Sequence, residues 1–578
     1  MPLSNQANKL LEALINCVGK SRVLTLPSQQ QAYVVGIVSS SHKPQVSAVV
    51  VPDKLLTMWH VLTICASFDA IIIAQAANTS LTGGSTPFGE YDRPVVVLSM
   101  QDLGGVHLID DAQELVALPA ASLQQLEALL APLGREPHSV LGSSCVGASV
   151  IGGICNNSGG MLVQRGPAYT EMALFARRNE AGQFELINHL GIELGDTPEQ
   201  ILPRLEQGDF APKDIQQPSS RSCTNHHYQH KVRDCAAATP ARHNNDPSGL
   251  FEASGSAGKV IVFAVRVATF AKAAKECTFY LSSNDAAMLT RLRREWLSSE
   301  LGLPVFAEYM HRRYNEVTLR YGRDTCLSMR KLPAARIGDL YRLQAKMAYY
   351  LDKWHLPKTL PNRVLQGLSV LMPAALSSRL AEQALAFEYH LLIKVTDDDI
   401  DPARDFLQRY IKASVSQLTQ CHPKESEQLL IFRSAATAAM FRYHNLNANA
   451  FGELISTDIA LPRNAEDWDE VLPPNLQQDI KETFYLGHFF CHVMHQDYLL
   501  MPMADNNKVK DELLAFYDQR GVAYPAEHNV GHTYKAKPTL SSFYKKLDPT
   551  NSLNPGIGRS AKWKNWRSSP LLMEESND

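Results

Sequence analysis

The sequence predicts an α/β (α+β) protein of about three domains. Short β-branched runs alternate with helix-like stripes from residue 46 onward, the pattern of strands linked by crossover helices. Two long Gly-rich loops interrupt that pattern, at 75–87 and 142–160. The 578 residues divide into about three units at roughly 100–200 residues per domain.

Each element has a local reason. Leu10, Leu11, Leu14, Ile15 and Val18 recur at helical spacing, so the start of the chain reads as a short amphipathic helix and not as a signal peptide. The runs VSAVVVP, AIIIAQAAN and RPVVVLSM read as strands ended by Pro, Asn or Gly. Between the first two, residues 54–67 carry Leu55, Leu56, Trp59, Leu62 and Ile64 as a helical stripe. SLQQLEALLAPLG reads as a helix stopped by Gly134, and KVIVFAVRVATF (259–270) as a strand closing the first region. Residues 271–330 and about 385–520, with runs such as FEYHLLIKVT, read as a second α/β domain carrying a large insertion.

Composition narrows the function classes. A net charge of −3 on an otherwise ordinary globular composition gives no polycation, and no nucleic-acid motif accompanies it. Ten cysteines without a CxxC pair read as reduced thiols of a cytosolic setting. No run approaches the roughly 20 apolar residues of a membrane span, so membrane contact is expected to be peripheral.

The insertion departs from the rest. Residues 330–379 hold nine Lys or Arg against Asp339 and Asp352, a local +7 inside a chain of −3. Leu340, Tyr341, Tyr349, Tyr350, Leu351, Trp354, Leu356 and Leu371 are interleaved with them. Such a segment suits an anionic lipid surface, where each basic side chain contributes about 1 kcal/mol. A helical hairpin with a solvated basic face is the alternative. The tail SAKWKNWRSS (560–569) reads as a second membrane contact or a frayed end.

The loop QAANTSLTGGSTP (75–87) directly follows the strand AIIIA. Its small residues let backbone approach a ligand, and successive N–H groups can cradle a pyrophosphate. It is not GxGxxG and opens no long helix, so a Rossmann nucleotide site is a poor match. The second loop, from Gly142 to Gly160, is likewise built of Ser, Asn and Gly.

AANTSLTGGSTP, LGREPHSVLGSSCVGASVIGGICNNSGG and QRGPAYTEM, in that order, resemble the PCMH-type flavin domain of the vanillyl-alcohol-oxidase-type FAD family. With EYMHR, YLGHFFCHVMHQDY, YPAEHNVGHTYKA and DPTNSLNPGIG, the chain is similar over nearly its whole length to the bacterial respiratory, quinone-dependent D-lactate dehydrogenases. That resemblance implies an FAD-binding domain, a substrate cap domain and a basic, largely helical membrane-associating insertion. It implies that Ala76, Ala77, Asn78, Thr79, Ser80, Gly84 and Ser85 hold the FAD pyrophosphate. Gly142, Ser149, Gly159 and Val262 would also line the flavin. Ser80 stands where the family is expected to have Gly, so it must either avoid a strongly positive φ or accept some strain. No His is placed for a covalent link, so dissociable FAD is expected.

Oxidising a 2-hydroxy acid needs a base for the hydroxyl proton, a cation for the carboxylate and a flavin for the hydride. In FAD-linked relatives, two His seven residues apart and the Glu of a later Glu-His pair bind a divalent metal, and that pair's His is the base. Carried over, His488, His495 and Glu527 would bind Zn or Mn and His528 would be the base. The Gly-Asp-Gly of the metal-binding relatives is missing between the paired His, and substrate hydrogen bonding or core packing is the alternative role. Arg312 and Arg433 are candidate carboxylate clamps, because a guanidinium fork matches a carboxylate; a surface residue is the other reading. His492 and His532 are neighbours without a separable role. Tyr524 and Tyr534 read as core or pocket aromatics.

The expected organisation is an FAD domain over 1–270 (core about 40–270), a cap over 271–520 with the membrane segment at about 330–380, and 521–578 returning to the FAD domain. The expected function is oxidation of D-lactate, with electrons passing through FAD to membrane quinone at the cytoplasmic side of a bacterial inner membrane. A dehydrogenase of another D-2-hydroxy acid, an oxidase using O₂ and a non-catalytic flavoprotein are the competing readings.

Overall fold

The computed structural model describes residues 5–36, 45–139, 147–216, 220–331, 360–369, 371–411 and 415–567. Gly142, residues 332–359 of the basic segment and the last residues of the 560–569 tail lie outside the described residues.

The first sheet has the order β1 (Val23–Leu24), β2 (Ala48–Val50), β4 (Val95–Ser99), β3 (Ile71–Gln75). β2, β4 and β3 run parallel, with helix α2 (Leu55–Ser67) crossing between β2 and β3. These strands are buried on both faces, so their sequences are continuous apolar runs. The N-terminal helix α1 (Asn5–Val18) buries Leu10 and Leu14 against Leu62, Ile72 and Val96. A second, antiparallel sheet follows in the order β5 (Val106–Ile109), β6 (Glu114–Ala117), β10 (Ile261–Ala268), β8 (Ala173–Arg178), β9 (Phe184–Asn188), and the short strands β7 (Arg135–Glu136) and β11 (Phe270–Ala271) pair with each other. Its helix α3 (Leu123–Leu130) starts at a Ser122 cap and leads into a short 3-10 turn closed by Gly134 at φ 66°.

The second half is a seven-stranded antiparallel sheet. Its order is β15 (Ser416–Cys421), β12 (Glu276–Ser283), β14 (Tyr389–Thr396), β13 (Phe306–His311), β17 (Ile480–His488), β18 (Val493–Leu500), β16 (Leu454–Ala460). Side chains alternate between two cores, as a period of two requires. Phe279, Leu281, Ala307, Tyr309, Leu391 and Ile393 face one. Tyr280, Phe306, Met310, Leu392, Leu486 and Leu499 face the other. Helices α5 (Arg312–Tyr321) and α7 (Pro423–Leu446) cover the second face through Tyr314, Val317, Phe432, Ala436 and Met440.

The chain's last described segment packs on the first sheet. Ile72 N donates to Ser552 O at 2.9 Å, Asn554 N donates to Ile72 O at 2.9 Å, and Leu553 is buried between them. Trp566 donates its Nε1 to Asp548 O and lies under the Lys259 ammonium, so the tail is anchored to the fold up to this point and not frayed.

Candidate active site

The first Gly-rich loop leaves β3 and folds on itself. Asn78, at φ 52°, takes the left-handed turn, and Ser80 does not. Asn tolerates that region without a Cβ penalty as large as that of most side chains. Ser80 Oγ instead accepts from the Thr82 and Gly84 N–H groups, and Ser85 Oγ donates to Asn78 Oδ1 at 3.1 Å. Ala76 and Thr79 are half-buried along this path and Ala77 is exposed. Gly84 has no room for a side chain: a Cβ there would stand 2.0 Å from Asn529 Nδ2.

In the second loop Ser149 caps the short helix α4 (Val150–Cys155), accepting from Gly152 N at 3.1 Å. Val262 is buried in β10. Gly159 is as constrained as Gly84, because a Cβ would fall 2.5 Å from Glu527 Oε1. Asn529 joins the two loops. Its Nδ2 donates to Asn156 Oδ1 at 2.7 Å, and its Oδ1 accepts from Thr82 Oγ1 and, at 3.4 Å, from Ser80 Oγ. His532 stacks on Phe88 and sits 2.9 Å from Thr86 O, so it braces the first loop from behind.

Strand register assembles a polar cluster on one face of the seven-stranded sheet. Glu308 of β13 lies opposite His488 of β17, and Asp458 of β16 lies opposite His495 of β18. By the alternation above, all four share the face of Phe306, Leu486 and Leu499. His488 Nδ1 is 2.6 Å from Glu308 Oε1, and His495 Nδ1 is 3.3 Å from Asp458 Oδ1. The two Nε2 atoms then point at each other, 3.4 Å apart. Glu527 comes in from the 524–534 segment, its Oε2 3.1 Å from His488 Nε2 and 3.6 Å from His495 Nε2. Arg242, fully buried, pairs with the other Glu527 oxygen.

The electrostatics follow from this packing. Burial opposes ionisation of Glu527, yet the His488 ring and the Arg242 guanidinium hold its carboxyl well below the usual range. Burial also works against a charged His495, but Asp458 and Glu527 outweigh it and push the ring up to about 10, so a divalent cation would bind Nε2 in place of its proton. Two imidazoles and a carboxylate whose ligand atoms lie within 4.8 Å of one another form a donor set suited to Zn or Mn. Each imidazole is backed at Nδ1 by a carboxylate, the usual outer partner of a metal-bound His. The donor set therefore fits a divalent cation.

His528 is the accessible member of this group, its side chain 39% exposed beside an Asp458 that is 5% exposed. His528 Nδ1 lies 2.9 Å from Asp458 Oδ2.

Sequence reading did not anticipate Glu308, Asp458 and Arg242. The only trace of Asp458 is a polar residue inside the strand LISTDIA. Both expected clamps are held by carboxylates of the protein. Arg312 is not brought to the cluster: it lies past the end of β13 and pairs at 3.1 Å with both Glu316 and Glu388 near the surface. Arg433 meets Glu308 at 3.1 Å, the carboxylate that also faces His488. His492 caps the β17–β18 turn at φ 54° with its ring on Pro462 O. Tyr524 and Tyr534 pack on each other, 6.0 Å between rings.

Profiles for two families match the chain: one described as an FAD binding domain over residues 46–174, and one described as D-lactate dehydrogenase, membrane binding, over residues 278–566. The quinone-dependent D-lactate dehydrogenase of Escherichia coli (strain K12) is 44% identical over 96% of this chain and 97% of its own length. The chain belongs to the quinone-dependent D-lactate dehydrogenase family. Members from Haemophilus influenzae (44% identical, 96% of this chain, 99% of theirs) and Corynebacterium glutamicum (37%, 97% and 98%) agree. Solved structures extend the likeness in fold to more distant proteins. A 4-ethylphenol oxidase from Gulosibacter chungangensis has a TM-score of 0.58 at 12% identity, covering 97% of this chain and 98% of its own. p-Cresol methylhydroxylase has 0.57 at 12%, covering 96% and 97%. The fold is thus the PCMH-type flavoprotein fold, and the two Gly-constrained loops belong to its FAD-binding domain.

Proposed function

We propose that this chain oxidises D-lactate to pyruvate beside the Glu527–His528 pair and passes the electrons through FAD to a membrane quinone. The observation that carries this reading is the contact of Gly159 with Glu527, where the second FAD loop meets the His–carboxylate cluster. FAD supplies the acceptor for the hydride that leaves C2. A divalent cation on His488, His495 and Glu527 would orient the 2-hydroxy acid and acidify its hydroxyl.

The chain's own groups do the rest. Asp458 can only accept, so the His528 Nδ1 facing it carries the proton and Nε2 keeps a lone pair. Nε2 takes the hydroxyl proton as the C2–H bond breaks and its electron pair leaves. The Arg242 charge keeps Glu527 ionised for its role in the donor set. FAD is held without a covalent bond; His532, the imidazole behind the first loop, is engaged with Phe88 and Thr86.

Residues 1–270 with 521–578 are assigned to the FAD unit and 271–520 to the substrate unit. Attachment to the bilayer is peripheral. Among the described residues no helix is long and apolar enough to cross a membrane. Helix α6 (Leu360–Ser369), at the edge of the basic segment, exposes Leu360, Val364 and Leu368 as one stripe, with Leu371 beyond it and exposed Arg363 beside it. Its other side is tied down by Gln366, which donates to Arg320 O at 2.9 Å. A stripe of this kind supports shallow insertion among anionic headgroups. Nine free cysteines among the described residues support the cytoplasmic side of an inner membrane.

The test is quinone reduction by the FAD-loaded protein on anionic vesicles. D-lactate should drive it and L-lactate should not. Turnover with D-2-hydroxyglutarate alone, or peroxide release without quinone, would reject this reading.

A further inference from the structure

Asp458 touches both His495 and His528 and the backbone of the turn that carries Glu527. It is buried in β16 directly opposite His495. Its Oδ2 accepts from the backbone N–H groups of Glu527, at 2.7 Å, and His528, at 2.9 Å, and lies 2.9 Å from His528 Nδ1. Its Oδ1 has no hydrogen bond of good geometry and lies 3.3 Å from His495 Nδ1. The carbonyl of the same residue accepts from Ala526 N at 3.0 Å, so the 526–528 turn is laid along the strand by this one residue. Among the described residues its side-chain partners at ion-pair distance are these two imidazoles, without a Lys or Arg. Glu308 differs, since it backs His488 alone and is itself held by Arg433.

A carboxylate has no proton to give, so each imidazole facing Asp458 must present an Nδ1–H and turn its Nε2 lone pair away. For His495 that lone pair faces the donor set, and for His528 it faces the accessible side. We propose that Asp458 is a positioning residue that sets, with one carboxylate, the tautomer and direction of both His528 and His495 and anchors the turn carrying Glu527. This inference rests on the metal-and-base reading above. Glu308, by contrast, serves the metal arm only.

The experiment uses the full FAD-loaded chain and compares Asp458→Asn with Glu308→Gln. Asn keeps the volume and an acceptor for the backbone N–H groups but cannot accept from both imidazoles. Zn²⁺ and Mn²⁺ affinities are read by chelator competition, and flavin reduction by D-lactate is read anaerobically in single turnover. Both variants should bind metal about 10–100-fold more weakly, as loss of an outer partner does, with FAD retained. Saturating metal should recover most of the rate in Glu308→Gln. In Asp458→Asn the rate should stay at least about 10-fold low, with the lactate concentration at half-saturation little changed, because the base still points wrongly. Full recovery of Asp458→Asn by metal would overturn the proposal. A wild-type protein that binds neither cation would reject the metal reading by itself; a normal single-turnover rate in Asp458→Asn would then overturn this one, and a slow rate would uphold it for His528. Should Asp458→Asn lose FAD, Asp458→Glu decides, since it keeps the charge but moves it by one methylene. A rate about 10-fold down with FAD bound upholds the proposal, and a wild-type rate overturns it.

Discussion

His488 Nε2 and His495 Nε2 stand 3.4 Å apart and face each other, each ring held from behind by a carboxylate on the neighbouring strand. Two imidazoles so placed share one natural occupant, a cation between their lone pairs, with Glu527 completing the set. The protein should bind about one equivalent of Zn²⁺ or Mn²⁺. His495→Ala should lose it while keeping FAD, as read by metal analysis alongside the visible spectrum. Equal metal content in His495→Ala and wild type would remove the metal from the account.

In the proposed reaction His528 takes the hydroxyl proton through Nε2. His528→Ala should slow flavin reduction by D-lactate about 10²–10⁴-fold, the usual worth of general base catalysis, with a much smaller change in KM. Rapid-mixing absorbance under argon gives the number. An unchanged rate would move the base elsewhere.

A Cβ at Gly84 would stand 2.0 Å from Asn529 Nδ2, and Asn529 joins the two FAD loops. Gly84→Ala should therefore weaken FAD binding about 10-fold or more, since forcing volume into a packed site costs about 1–3 kcal/mol. Flavin fluorescence on dilution reads the affinity.

His390 gives a pH signature away from the site. Burial pushes its imidazole down to about 3. Nδ1 accepts from Ser282 at 2.8 Å and Tyr280 at 3.0 Å, and Nε2 donates to Phe387 O at 2.9 Å. The folded ring stays neutral where the unfolded one, titrating near 6.5, takes a proton. Stability from this group is complete above about 6.5 and is lost as the pH falls from there toward 3. At pH 4.5 the loss is about 3 kcal/mol. His390→Gln should be the less stable protein at pH 7 but should lose less on acidification, as read by urea midpoints at pH 7 and 4.5. Parallel losses would contradict this.

The exposed stripe of α6 predicts lipid contact. Val364→Asp combined with Leu368→Asp should cut binding to anionic vesicles about 10-fold or more in a sedimentation assay, with flavin reduction by D-lactate unchanged. Undiminished binding would place the contact outside this helix.

The parts legible in the sequence are those set by local rules. The N-terminal helix, the parallel strands of the first sheet and the two Gly-rich loops each follow from spacing or residue size within about twenty positions. Even the Ser80 exception resolves locally, because Asn78 takes the left-handed turn instead. Glu308, Asp458 and Arg242 were hidden because strand register and long-range packing bring them in. Glu308 meets His488 across 180 residues, and Arg242 meets Glu527 across 285. No spacing rule spans such gaps. Arg312 shows the same limit from the other side: its guanidinium stands next to the right strand, but four residues past Glu308 the strand has ended, and the fold pairs it with Glu316 and Glu388.

The central claim is that this site moves two electrons from D-lactate to FAD. The most direct measurement is the anaerobic visible spectrum of the FAD-loaded protein, before and after D-lactate and then L-lactate. The account predicts that the flavin bands bleach with the D isomer and persist with the L isomer. Bands that survive both, or bleach equally with both, would contradict it.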